Sequence, residues 1–284
     1  MMVTRALSAL LACWFTSGVV AAGLEHYEIV AKHPLPAEIA EASGLACTSD
    51  GKYTINDSGN PAIIFQLGDQ GQIVGRIHSA LNNRDWEALS YADGQLYVAD
   101  IGNNHGHHRA MKIHRVALAS VNKGIAADAS SFSFEFADYD QHPVTSVHHD
   151  LDAEAITIDQ GQLIVFSKSW QSNVARVYRM IPRQQHQVIE PVATIAELPG
   201  MITGAHFDPV AKQYWLVGYN SKGLPKLKPF IAQLDDNFQL LATKSLTGLG
   251  QIEAVCMDQQ RRLWLAQEQM LFKPALLIEM AAQP

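Results

Sequence analysis

Apolar and polar residues alternate in short runs along most of this chain, and Gly, Asp, Asn and Gln punctuate the runs. Alternation at period two marks half-buried β-strands, and no helical period persists long enough to build βαβ units. The clearest instance is Asp85-Trp86-Glu87-Ala88-Leu89-Ser90-Tyr91, a turn at Ala92-Asp93-Gly94, then a second run from Gln95 to Asp100 that continues into Ile101-Gly102-Asn103-Asn104. It reads as strand, tight turn, strand, with an acid opening the first strand and another closing the second.

The same pattern recurs. Ser43-Gly44-Leu45, Glu87-Ala88-Leu89, Glu154-Ala155-Ile156, Thr203-Gly204-Ala205 and Glu253-Ala254-Val255 each place a polar residue, then Gly or Ala, ahead of an alternating run. Each is followed by a turn and a second strand: Lys52 to Asn56, Gln95 to Asp100, Gln162 to Lys168, Gln213 to Tyr219 and Arg262 to Gln267. Third strands are expected at Ala62–Leu67, Met111–Val116, Ala175–Met180, Pro229–Leu234 and Ala275–Met280. Fourth strands follow in the first four units, at Ile73–Ile77, Ser131–Phe136, Glu190–Ile195 and Leu240–Ser245. The last unit has no fourth strand, and Leu24–Ala31 has no hairpin partner, so the N-terminal strand is expected to complete the last sheet and close a ring. Four-strand units at a period of roughly 45–65 residues predict an all-β, five-bladed β-propeller. Six blades or a two-sheet sandwich are the alternatives. The Ala- and Ser-rich stretch from Ala117 to Ser130 reads as an insertion in the second unit.

Composition narrows the class. The 284 residues are 48% hydrophobic and 17% charged, which suits a large core and argues against disorder. A net charge of −7 and the absence of any basic run argue against a nucleic-acid partner. Residues 1–22 have the positive, apolar and small-residue regions of a secretory signal peptide, which leaves 23–284 as one domain, periplasmic or secreted. A lipoprotein reading anchored at Cys13 is the minor alternative. No later segment is long and apolar enough to span a bilayer. Cys47 and Cys256 fall in the first and last repeats, where an exported protein could join them; the reading favoured here is two small buried hydrophobes.

In a propeller the first strand of each blade lines the central channel, and its start shares a face with the end of the second strand. That geometry puts Ser43, Glu87, Glu154, Thr203 and Glu253 around the channel mouth, with Asn56-Asp57, Asp100, Ser167-Lys168, Asn220 and Glu268 just outside. Crowded, partly buried carboxylates need an offsetting charge. A hard cation such as Ca²⁺ would supply it, with Glu87, Asp100, Glu154 and Glu253 as main donors and Asp57, Asn220 and Glu268 as secondary ones. Ion pairs with Lys168 and Arg109, or bonds to neighbouring backbone, would do so without a metal. His105, His107, His108, His148 and His149 have no fixed spacing and read as solvated loop residues, while His206 reads as a packed channel histidine. Trp86, Trp170 and Trp215 read as blade packing. There is no Gly-x-Ser-x-Gly, Walker loop or Cys-x-x-Cys.

Asp85-Trp86-Glu87-Ala88 with Leu96 to Asn104, Arg109 and Ile113 to Val116 resembles a family of exported bacterial propellers of unknown function. Asp152-Ala153-Glu154-Ala155-Ile156 with Phe166-Ser167-Lys168, and the Ile202 and Ile252 segments, extend that resemblance over nearly all of the chain beyond residue 22. More distantly, the strand starts are similar to SdiA-regulated, phytase-like and gluconolactonase-type propellers. The resemblance implies Ca²⁺ at the channel mouth and, in some relatives, hydrolysis of phosphate esters or lactones. Ser43 and Thr203 depart from the pattern where an acid could sit, and the chain lacks the Lys and Arg richness that phytate would need.

The functional expectation is therefore a monomeric, metal-binding propeller, with hydrolysis of an ester, lactone or phosphoester as its possible chemistry. Glu154 or Asp152 would be general base, and Lys168 and Arg109 would hold an anionic substrate. The competing reading is a non-catalytic envelope scaffold that binds a small molecule or protein with the same face.

Overall fold

The structure is a computed structural model that describes residues 22–122, 124–126, 129–139, 146–221 and 227–283. The expected signal peptide and Cys13 lie outside the described residues, apart from Ala22, as does part of the loop from Gln141 to His149.

The chain is an all-β, five-bladed propeller. A 3₁₀ turn, Leu24–His26, leads into β1 (Tyr27–Pro34). Blade one is β2 (Ala42–Thr48), β3 (Gly51–Asn56), β4 (Ile63–Leu67) and β5 (Ile73–His78). Blade two begins with β6 (Trp86–Ala92), β7 (Gln95–Asp100) and β8 (Met111–Ala117). Two short strands, β9 (Val121–Asn122) and β10 (Ile125–Ala126), precede its outer strand β11 (Ala129–Phe136). Blade three is β12 (Asp152–Asp159), β13 (Gln162–Lys168), β14 (Ala175–Met180), a side strand β15 (His186–Ile189) and β16 (Pro191–Ile195). Blade four is β17 (Met201–Asp208), β18 (Gln213–Asn220), β19 (Lys228–Leu234) and β20 (Leu240–Ser245). Blade five is β21 (Ile252–Met257), β22 (Leu263–Gln267) and β23 (Leu276–Ala282).

The N-terminal strand closes the ring as the pattern predicts: β1 pairs antiparallel with β23, from Tyr27 opposite Ala282 to Pro34 opposite Leu276. The stretch read as an insertion does more than loop out. Its β10 pairs parallel with β5, adding to blade one, just as β15 pairs parallel with β11 and adds to blade two. Each connector thus covers the outer edge of the preceding blade, which protects an otherwise open row of backbone groups. The hairpin at Asp93-Gly94 has both central residues at positive φ (49° and 74°), and Gln160-Gly161 repeats this (49° and 76°). Two-residue loops of that kind match the strand twist.

The core is divided into five interblade layers. Tyr178 stacks on Phe136 between blades two and three, and Trp215 meets Tyr27 edge-on at the closure of the ring. Cys47 on β2 and Cys256 on β21 form a disulfide, which corrects the reading of them as two separate hydrophobes. Ring closure is the reason: it brings residues 209 apart in sequence to a Cα separation of 5.5 Å. A disulfide is consistent with an oxidising compartment. Among the described residues no helix is long and apolar enough to cross a membrane.

Candidate metal centre at the channel mouth

All five inner strands carry a register shift at the residue that recurs in the sequence: Ser43, Glu87, Glu154, Thr203 and Glu253 each fall between paired neighbours. A bulge re-aims its side chain out of the strand's alternation. The two hydroxyl positions turn this to structure. Ser43 Oγ donates to the Trp86 carbonyl at 2.7 Å and Thr203 Oγ1 to the Ile252 carbonyl at 2.6 Å, each just before the next blade's glutamate. The three glutamates face the mouth and are buried, at 6%, 3% and 7% exposure for Glu87, Glu154 and Glu253. Below them the channel is closed to a space of about 10 Å³. Gly44 and Gly204 permit that closure, since a Cβ on either would lie 2.6 Å from Leu89 N or 2.8 Å from the Ala254 Cα.

Asp57, Asp85 and Glu87 form the centre's acidic half, with one carboxylate oxygen from each lying within 4.8 Å of the others. Asp85 is fixed at both backbone ends by the strand exit that follows β7: its N–H donates to Asp100 Oδ1 at 2.8 Å, and its carbonyl accepts from Ile101 N at 3.1 Å and Gly102 N at 3.2 Å. Gly102 then makes room for the carboxylates. A Cβ there would sit 2.3 Å from Asp85 Oδ2 and 2.4 Å from Glu87 Oε1. Among the described residues no hydrogen bond reaches the Glu87 carboxylate, and it is raised well above the usual range by burial, then by the charges of Glu154, Asp57 and Asp85, with Lys168 pulling the other way. Burial also lifts Asp57 to about 6 and raises Asp85, against hydrogen bonds from Ser58. All-oxygen donors in a crowded, desolvated group suit a hard divalent cation better than a nitrogen- or sulfur-preferring one. The recess over Gly102 is what lets two of the three approach together.

The other half holds its own cation. Lys168 Nζ contacts Glu154 Oε1, and stands 4.5 Å from the Trp170 ring and 5.6 Å from the Tyr219 ring. Burial opposes the ammonium, but Glu154, Tyr219, Glu253 and Asp152 together hold its pKa well above the ordinary value. Glu154 is itself raised, by burial first and then by Glu253 and Asp152, against Lys168. Glu253 is pushed up to about 7 by burial, and Glu268 to about 8 by burial and then by Glu253 and Asp57. Asp152 is also raised by burial, although it accepts from Asn103 N (2.7 Å), Ala153 N (3.0 Å) and Trp170 Nε1 (2.8 Å).

The other expected site residues are placed as follows. Asp100 turns into the blade, where it accepts from Asp85 N and lies 3.5 Å from both Arg84 Nε and His114 Nε2; it stands outside the three-carboxylate group. Arg109 pairs with Glu135 at 2.6 Å on the outer strand. Asn220 donates to the Pro199 carbonyl at 2.8 Å, and Glu268 accepts from Gln251 Nε2 at 2.6 Å. Sequence reasoning did not single out Asp85, Tyr219 or Ser58 as site residues. The sequence shows Asp85 only as the acid just ahead of the most regular hairpin, with no spacing that marks it as a ligand.

Beside Asp85 lies a cavity of about 180 Å³ lined by Ser58, Asn103, Asn104, His105, His107 and His108. His105 and His107 stack at 5.8 Å. His149, expected to be solvated, is instead buried: Nε2 lies 3.1 Å from the Asn104 carbonyl, and Nδ1 accepts from Leu151 N at 3.1 Å. His206 is half-buried on an inner strand, with its pKa lowered to about 4 by burial. Trp170, read as blade packing, lies under Lys168 and holds Asp152.

No family model matches this chain, and no curated protein does. Solved structures do. A streptogramin B lyase shares 10% identity with a TM-score of 0.51, over 93% of this chain and 100% of that one. A luciferin-regenerating enzyme shares 10% identity with a TM-score of 0.50, over 88% and 95%. The Kuenenia stuttgartiensis hydrazine synthase shares 10% identity with a TM-score of 0.44, over 80% of this chain and 56% of that longer one. What the streptogramin B lyase and the luciferin-regenerating enzyme share with the chain is the fold alone.

Proposed function

We propose that the channel mouth binds a divalent cation, calcium, through Asp57, Asp85 and Glu87, with Glu253 and Glu268 completing the negative rim. The observation that carries this is the trio itself: three carboxylates within 4.8 Å, crowded over a glycine, with nothing donating to Glu87 among the described residues. Calcium takes six to eight oxygens, so side chains such as Ser58 and Asn103 and solvent would fill the remaining positions.

In its enzymatic form the protein is a metal-dependent hydrolase of esters, lactones or phosphoesters, with the cavity at Asp85 as its substrate pocket. A bound divalent cation supplies Lewis acidity and a more acidic water. Glu154 or Asp152 would accept the proton, and burial raises the pKa of both, which makes each a stronger base than an ordinary carboxylate. Lys168 is the ammonium nearest those acids, while Arg109 would meet an anion only by leaving Glu135. The resemblance to exported bacterial propellers and the disulfide support a periplasmic or secreted location.

The test is thermal melting with a chelator, then with Ca²⁺, Mg²⁺, Zn²⁺ and Mn²⁺ added back. A cation at about 100 times its Kd should stabilise the fold by about 2.7 kcal/mol, and Asp85→Asn or Glu87→Gln should abolish the response. Hydrolysis of ester and lactone substrates should then vanish on chelation. A melting point indifferent to every metal would sink the proposal.

A second reading, a non-catalytic scaffold, draws on the other side of the mouth. Leu271 and Phe272 stand 83% and 98% exposed at the edge of an apolar groove of about 600 Å³ that also includes Leu227, Pro229, Leu249 and Met270. Exposed apolar groups of that size mark interaction surfaces more often than free ones.

A further inference from the structure

Carboxylates outnumber cations at the mouth. Asp57, Asp85, Glu87, Asp152, Glu154, Glu253 and Glu268 are close enough there to feel one another's charge or that of Lys168. Lys168 is the buried ammonium facing them. It reaches the mouth from the end of β13, opposite Asp152, and contacts Glu154 Oε1 directly. Its remaining surroundings are the Trp170 and Tyr219 rings, which favour a cation and exclude water. Glu87 belongs to the three-carboxylate group and is the member whose charge feels that of Glu154.

We propose that Lys168 is a tethered cation occupying the second position of a two-cation centre, so that its ammonium stands where a second divalent ion would otherwise bind beside Asp57–Asp85–Glu87. This rests on the reading of that trio as a metal site. The chemistry of the second position is that of the first: a buried carboxylate, here Glu154, against one positive charge, with the charge of Glu253 nearby. Lys168 is then a positioning residue that limits the centre to one metal ion. It is not an amine nucleophile, because an ammonium held in its charged form by Glu154 has no lone pair to offer. The consequence for chemistry is a mononuclear site, with a fixed charge where a second ion would clamp a phosphoryl group.

The experiment is a count of bound metal at pH 8.5 by equilibrium dialysis with Mn²⁺ and Ca²⁺. The wild-type chain should bind one ion at the mouth. Lys168→Met and Lys168→Gln should bind two, and Lys168→Arg, which keeps the charge, should return the count to one. Circular dichroism identifies which variants are folded. A folded Lys168→Met or Lys168→Gln protein that binds no more ions than the wild type overturns the proposal, and so do two ions in the wild-type chain, which needs no variant to fold. If the wild type binds none while Lys168→Met binds one, the trio fails as a metal site and the tethered cation stands. If the wild type and folded Lys168→Met each bind one, the trio stands and the tethered cation falls.

Discussion

Removing the charge of Glu253 should stabilise the metal-free protein, and only at high pH. Its carboxyl has a pKa of about 7 in the fold against an ordinary value of 4.5, with burial as the first cause and Lys168 too weak an offset. A carboxyl raised on folding holds its proton better in the native state, so native stability falls as pH climbs from about 4.5 through 7. At one pKa unit per 1.36 kcal/mol the full cost at pH 8 is about 3 kcal/mol. Glu253→Gln removes that cost while keeping the side-chain shape and an acceptor for Gln251. At pH 5, where Glu253 is protonated, the variant and the parent should melt together. At pH 8 in a chelator the variant should melt higher, by about 6–10 °C for a chain of this size. Calorimetry or dye-monitored melting across pH 5–8.5 reads both ends of the window. A variant that melts lower than the parent at pH 8 would refute the argument, because it would make the carboxylate a net favourable partner of Lys168.

Two further perturbations test separate parts of the structure. Gly102→Ala should weaken divalent-ion binding at least about tenfold, or 1.4 kcal/mol, by driving a Cβ into the Asp85 and Glu87 carboxylates, with little effect on the melt in chelator. Unchanged affinity in an ion titration would show that those carboxylates do not hold the ion. Replacing both Cys47 and Cys256 by Ser releases a cross-link across 209 residues, and should cost about 2–5 kcal/mol towards the upper end of that range. An unaltered melting point for the double variant would mean that the pairing of β1 with β23 alone constrains the ring.

The five-blade architecture was legible because each unit repeats the same hairpin, and a hairpin's period-two pattern with its turn is a local signal. The repeated polar residue was legible too, though not the bulge that gives it meaning. What failed to show was everything set by a neighbour. Asp85 precedes its strand, and the distant exit of β7 fixes it, so no spacing marks it as a ligand. Asp100 looks like a mouth residue by position, yet the Asp85 N–H, Arg84 and His114 draw its carboxylate into the blade. The strands β9, β10 and β15 are too short to mark themselves in the sequence: β10 and β15 exist by pairing with edges of the preceding blades, and β9 by pairing with β10. For the two cysteines, alternation says only that they are buried; adjacency came from closing the ring.

The opposite face of the disc shows why the mouth stands apart. There the turn after each inner strand also carries an acid, and those of the last three blades have strong partners of their own. Asp159 takes the Tyr214 hydroxyl at 2.6 Å, with Arg179 at 3.5 Å; Asp208 takes Arg261; and Asp258 takes Arg262 at 2.8 Å and Trp264 at 2.9 Å. Those acids tie blades and hairpins together, as acids at strand ends ordinarily do, and for Asp208 the balance of burial against Arg261 leaves its pKa low. At the mouth the same kind of residue is left to share one lysine, and the pKa values of the seven carboxylates around it move up instead of down. A chain that supplies an arginine to Asp159, Asp208 and Asp258 on one face has supplied none to Glu87, Glu154 and Glu253 on the other. That asymmetry is what the proposed divalent cation would offset.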